Sequence, residues 1–91
     1  MSASRSGYVY LIKYPIGYKI GRSKKPWQRL RQLQGVSPQR LYLITSIFSH
    51  DAVALEKELD NKYCHLKDDR TEFYNLTDQH VSEIINLSID T

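Results

Sequence analysis

Ninety-one residues, 41% hydrophobic and 25% charged, suffice for one globular domain with one modest core and exclude two domains. A lone cysteine, Cys64, rules out an intramolecular disulfide, and the longest apolar stretch, residues 41–48, is interrupted by Thr45 and Ser46 and cannot span a membrane. The net charge of +3 averages two unlike halves: residues 1–50 hold nine cations and no acid, the rest ten acids against four cations. That imbalance makes an anionic partner the leading expectation, with nucleic acid ahead of a membrane or an acidic protein.

Residues 8–14, Tyr-Val-Tyr-Leu-Ile-Lys-Tyr, are aromatic and β-branched and predict a strand with Tyr8, Tyr10, Ile12 and Tyr14 on one face. Pro15-Ile16-Gly17 is a turn, because proline presets φ and glycine tolerates φ > 0, and residues 18–22 return as the second arm of a hairpin. Pro26 suits a first helical position, so a helix runs to Gln34 and stops at Gly35, with Trp27, Leu30 and Leu33 on its buried side. Residues 41–48 are apolar on both faces and predict the central strand. His50-Asp51 offers an N-cap for a helix over residues 52–63. A short extended segment, residues 72–76, precedes a last helix opened by Thr77 with His80 three residues on. The order β-β-α-β-α-(β)-α is that of an α+β domain with a small antiparallel sheet spanning the whole chain, its core about residues 7–87.

Several chemistries are excluded by spacing. His50, His65 and His80 fall on different elements, and Cys64-His65 has no partner pair, so there is no zinc pattern; Cys64 is expected as a half-buried helix-end thiol. The four glycines are too scattered for a phosphate-cradling loop; a Ser-His-Asp triad stays open, although no serine sits in a strand-to-helix elbow. Two features stand out. Four of seven tyrosines lie on the hairpin beside Lys19 and Arg22, where a nearby cation would favour the phenolate, although Tyr8 and Tyr14 are expected simply to pave the buried face. Glu56 shares a helical face with Ala52, Leu59 and Tyr63, a costly place for a carboxylate unless it pairs with Arg22 or Arg29 or binds a cation; Glu58 and Asp60 lie off that face and are expected to be solvated.

In their order these residues resemble the GIY-YIG nuclease superfamily, in particular its compact phage-type branch with a Tyr-Lys-Ile-Gly second motif. Tyr8-Val9-Tyr10 matches the first motif, with Tyr10 as its final tyrosine and Tyr8 where glycine is usual. Tyr18-Lys19-Ile20-Gly21 matches the second, with lysine where the wider family has tyrosine. Arg29 follows Gly21 by eight residues, Glu56 falls at the family's metal-binding glutamate, and Tyr74-Asn75-Leu76 resembles the closing element.

The resemblance implies a three-stranded antiparallel sheet flanked by helices and a DNA endonuclease that hydrolyses phosphodiester bonds with one divalent metal, Mg²⁺ or in substitution Mn²⁺. In that reading Glu56 is the sole protein metal ligand, Arg29 grips the scissile phosphate, and Tyr10 is the general base. Tyr18 and Lys19 polarise Tyr10 or orient the water, and Asn75 buttresses the site. Arg22, Lys24, Lys25 and Arg31 contact backbone phosphates, whether the DNA is duplex, branched or single-stranded. One site cuts one strand, so a double-strand break calls for a dimer or two visits; the domain is either a standalone nuclease of low or structural specificity or a module fused to a DNA-reading domain. No membrane is implied: the polar residues 1–6 have no signal-peptide core, and the setting is intracellular, in cytoplasm or nucleoid, or in the nucleus of a eukaryotic or viral system. The rival readings are a binding module that grips nucleic acid without cutting it, favoured by the lysine at position 19, and a protein-interaction domain using the acidic half.

Overall fold

The structure, a computed structural model, describes residues 5–89; most of the leading stretch expected to lack a signal sequence lies outside it. Gly7–Tyr14 forms strand β1, Gly17–Ser23 strand β2, Pro26–Gly35 helix α1, Tyr42–Ser49 strand β3, Ala52–Tyr63 helix α2 and Asp78–Ile89 helix α3, with a single 3₁₀ turn at Cys64–Leu66. The α+β class, the antiparallel three-stranded sheet and the element order are those expected from the sequence.

The strand order is β2-β1-β3, so the first strand is central, not residues 41–48 as expected. The reason lies in β1 itself: Val9, Tyr10, Leu11 and Ile12 are all buried, which requires cover on both faces. Alternation along β1 divides the core in two. Val9 and Leu11 join Ile20, Ile47, Leu59, Tyr63 and Ile84 under α2 and α3. Tyr10 and Ile12 join Leu41, with Leu30 and Leu33 of α1 packed on them. Helices α1 and α2 thus cover opposite faces, and no Cα of one comes within 8 Å of the other. Between Leu11 and Ile12 the pairing with β3 slips, from Thr45 to Leu43, so Ile44 is a bulge residue.

Local devices fix the elements. Asp51 caps α2, its carboxylate accepting from the Ala54 N–H at 3.0 Å; that bond, and then the Arg5 guanidinium, hold its pKa below the usual carboxylate value. Thr77 and His80 form a reciprocal cap on α3: the His80 N–H donates to Thr77 Oγ1 at 3.3 Å, and the Thr77 N–H donates to His80 Nδ1 at 3.1 Å. Gly17 sits at φ 151°, where a Cβ would come within 3.0 Å of the Tyr74 carbonyl oxygen. The segment read as residues 72–76 is not a strand. It contributes one residue, Tyr74, bridged to Tyr18 and to Lys67.

Three side chains depart from expectation. Trp27 is 67% exposed, because β3 is the last strand of the sheet and none of the described elements lies beyond it to cover the ring. Cys64 is exposed, not half-buried, since it begins the 3₁₀ turn at the end of α2. Asp60 is partly buried, not solvated, and accepts the Tyr74 hydroxyl at 2.5 Å. No helix among the described residues is long and apolar enough to cross a membrane.

Candidate functional site

Strand β2 is an edge strand, and the residues singled out from the sequence lie around it on two sides. On the α1 side, Tyr10 pairs with Gly21 and Ile12 with Lys19, so Tyr10 and Lys19 share a face. The Tyr10 ring lies across Gly21: a Cβ there would meet the ring carbons Cζ at 2.5 Å and Cε1 at 3.0 Å, as well as the hydroxyl. The tyrosine of the first motif and the glycine of the second are therefore one structural unit. Tyr10 is 3% exposed. Its hydroxyl makes no hydrogen bond among the described residues, and no sealed polar side-chain atom among them lacks a partner, so the oxygen is the part that reaches water.

Arg29, on α1, is close enough to Tyr14 for its charge to act on that phenol, as does Tyr10. The Tyr14 pKa nevertheless rises, because burial, and then Tyr10, outweigh the guanidinium, in keeping with a tyrosine that paves the buried face. Arg29 donates to Gln32 Oε1 at 3.3 Å and has no carboxylate partner among the described residues.

On the other side of the sheet, Arg22 reaches α2 and donates through Nε to Glu56 Oε1 at 3.0 Å, with the two side chains 51% and 24% exposed. The structure thus realises the ion pair weighed for Glu56 and separates Glu56 from the face that carries Tyr10. Its second oxygen accepts no hydrogen bond among the described residues. No group of three or more His, Cys, Asp or Glu side chains is placed to hold a metal among them. One open carboxylate oxygen suits a strongly hydrated cation such as Mg²⁺, which keeps most of its waters and does not need a protein cage.

Tyr18 packs against the α2-side core, and its backbone exchanges hydrogen bonds of 3.0 and 2.8 Å with Tyr74. This places Asn75 beside the hairpin tip, where it is exposed and lines a cleft of about 350 Å³ with Tyr14 and Tyr18. Its side chain makes no hydrogen bond among the described residues. The Tyr74 pKa is pushed up by burial and then by its bond to Asp60, with Glu56 adding to the rise. Asp60 is a member of this cluster that the sequence pattern missed; its position one turn after Glu56 was the available signal.

Lys24, Lys25 and Arg31 are exposed. Helix α1 starts with no side-chain cap and no acid in its first turn, so its positive dipole end adds to Lys24 and Lys25. Among the described residues Arg5 and Arg22 are the cations of the N-terminal half that meet a carboxylate; Lys13, Lys19, Lys24, Lys25, Arg29, Arg31 and Arg40 meet none within 4.0 Å. The charge asymmetry of the sequence survives folding.

A three-stranded antiparallel sheet with a cationic helix on one face, and a buried tyrosine of its central strand packed across a glycine of its edge strand, defines an α+β domain. The chain belongs to the T5orf172 domain family, whose model matches residues 7–88. Membership is compatible with a nuclease or DNA-binding role. No curated protein and no solved structure matches the chain.

Proposed function

We propose that the chain is a divalent-metal-dependent DNA endonuclease of the GIY-YIG kind. The observation that supports the reading is the Tyr10–Gly21 unit: a buried ring packed across a glycine, its hydroxyl without a hydrogen bond among the described residues, under the helix that carries Arg29, which no carboxylate among them neutralises. Arg29 binds the scissile phosphate and offsets charge as the attacking water's oxygen closes on phosphorus. The water's proton passes to Tyr10 Oη as the P–O3′ bond breaks, and the departing 3′-oxygen is protonated from solvent. That step takes Tyr10 as the phenolate; Lys19 lies on the same face, and Tyr18 and Asn75 border the cleft at the hairpin tip. Held by Glu56, a Mg²⁺ or Mn²⁺ ion would supply Lewis-acid polarisation of a phosphate oxygen. Lys24, Lys25 and Arg31 add salt-dependent affinity for the backbone, joined by Arg22 when it leaves Glu56.

The test is supercoiled-plasmid nicking with Mg²⁺ or Mn²⁺ against an EDTA control. Wild type nicks and EDTA stops it. Tyr10→Phe and Arg29→Ala each lower the rate by a factor of about 10² or more, and Glu56→Gln raises the metal requirement. A second reading, a non-catalytic binding module, is favoured by the Arg22–Glu56 pair, which occupies one oxygen of the proposed metal ligand. Retarded but intact DNA in every metal would establish it.

A further inference from the structure

At the end of the sheet away from the hairpin tip, the face that carries Tyr10 holds three rings that the scheme above does not use. Tyr8 stands two residues before Tyr10 on β1 and so shares its face. It pairs with Phe48 of β3 on one side and with Ser23 of β2 on the other. The Tyr8 and Phe48 rings meet edge to face with centroids 5.5 Å apart, and Phe48 meets the His50 imidazole in the same way at 5.3 Å. Neither Tyr8 nor Phe48 joins the cluster packed under α1, and Phe48 is 45% exposed. The polar atoms of the strip are uncommitted: the Tyr8 hydroxyl and both His50 ring nitrogens make no hydrogen bond among the described residues. Lys24 and Lys25 follow Ser23 at this end of the sheet, exposed and with no carboxylate among the described residues within 4.0 Å. Asp51, next to His50 in the chain, is already taken up by the Arg5 guanidinium at 2.9 Å and by the Ala54 N–H.

Rings raised from adjacent strands of a sheet, with cations alongside and the neighbouring acid paired, fit the flat face of a nucleobase and its attached phosphate. A duplex hides its base faces in the stack, whereas an unpaired nucleotide offers them. An apolar peptide would cover the rings but gain nothing from Lys24, Lys25 and the open hydrogen-bonding atoms of Tyr8 and His50. We infer that the Tyr8–Phe48–His50 strip is a stacking platform for an unpaired nucleotide of a single-stranded nucleic acid. Tyr8 lies about 7 Å along β1 from Tyr10, two residues of an antiparallel strand, so a base held there belongs to a nucleotide close to the phosphate that Tyr10 and Arg29 would receive. The inference rests on the nucleic-acid reading proposed above and narrows it to strands unpaired beside the cut.

The full chain is titrated in EDTA against labelled oligothymidylate, oligouridylate, an abasic strand and a blunt duplex of the same length, and a proline-rich peptide, with anisotropy as the readout. A homopolymer bound at least about fivefold tighter than the abasic strand is the expected result, and the two homopolymers separate DNA from RNA as its source. Phe48→Leu keeps apolar bulk but loses the ring face; it weakens single-strand binding roughly 5- to 100-fold and leaves duplex binding within about twofold, whereas Phe48→Trp retains both. Tyr8→Leu acts in the same direction. Urea midpoints verify the fold of each variant, and because Phe48 is exposed, Phe48→Leu carries the test if Tyr8→Leu does not fold. Equal affinity for the homopolymers and the abasic strand, equal losses for single strand and duplex in Phe48→Leu, unchanged single-strand affinity in that variant, or binding of the peptide in place of the homopolymers overturns the inference. Duplex binding with no preference for bases over the abasic strand overturns this inference alone, whereas no binding of any nucleic acid overturns the parent reading with it.

Discussion

The Tyr10–Gly21 contact makes a quantitative demand. In Gly21→Ala the new Cβ falls 2.5 Å from Tyr10 Cζ and 3.0 Å from Cε1, closer than carbon atoms pack. The ring cannot swing aside freely, because Tyr10 is 3% exposed and sits among Ile12, Leu41, Leu30 and Leu33. Overpacking of this kind costs about 1–3 kcal/mol. In a domain of this size each kcal/mol moves Tm by about 4–8 °C, so a drop of roughly 4–24 °C is expected. The control removes the colliding atoms: Tyr10→Leu keeps an apolar side chain but has nothing where the ring end lay. In that background Gly21→Ala should be neutral or stabilising by up to about 1 kcal/mol, since alanine is less costly than glycine in a strand. Urea unfolding of wild type, both single variants and the double variant gives the coupling, expected at 1 kcal/mol or more. An equal cost of Gly21→Ala in both backgrounds would refute the lock and, with it, the argument that Tyr10 is held in place for chemistry.

Other outcomes follow from the same geometry. Tyr10→Phe, which deletes a hydroxyl with no hydrogen bond among the described residues, should leave the urea midpoint within the equivalent of about 0.5 kcal/mol while abolishing nicking. Thr77→Ala removes one side of the α3 cap and should destabilise by about 1 kcal/mol in the same assay, with the loss concentrated in hydrogen exchange of the first turn of α3. Burial and its bond to Glu83 push the Tyr63 phenol up to about 12, whereas in the unfolded chain it releases its proton near 10. Stability should therefore fall as pH rises through that window, by on the order of 2 kcal/mol from this residue, and Tyr63→Phe should flatten the fall. Arg22→Ala should cost about 1 kcal/mol or less, because its pair with Glu56 is partly exposed, yet lower the Mg²⁺ concentration that half-saturates nicking by uncovering a carboxylate oxygen.

How much of this was legible in the sequence depended on whether a feature is local. The hairpin, the Asp51 and Thr77 caps and the proline start of α1 are each written within a few residues, and each lies where the sequence placed it. Strand order was not local. Residues 41–48 and the β1 segment are both apolar on two faces, and what makes β1 central is that β2 pairs with one of its edges and β3 with the other. Trp27 was misplaced for a related reason: periodicity assigns a helix face but not the width of the sheet beneath it, and three strands end before that ring is covered. The sequence could name Arg22, beside Arg29, as a partner for Glu56, and strand alternation sets Arg22 opposite in phase to Gly21. It could not show that this same alternation sends Glu56's partner to the face away from Tyr10.

That separation gives the edge strand a particular role in the proposed chemistry. Gly21 and Arg22 are consecutive, and their neighbours on opposite faces are the Tyr10 ring and the Glu56 carboxylate. Because β2 has no strand beyond it among the described elements, a polyanion laid along its free edge would have both groups within reach, one from above the sheet and one from below. A phosphate arriving there would also offer Arg22 an alternative to Glu56, and the exchange would free Glu56 Oε1 as the backbone was gripped. Metal affinity and DNA affinity would then be coupled, and by linkage each would strengthen the other to the same degree. Mg²⁺ titrations with and without an uncleavable phosphorothioate oligonucleotide measure that coupling, which Arg22→Ala should abolish. Coupling of undiminished size in Arg22→Ala would show that the pair is only a clasp between β2 and α2.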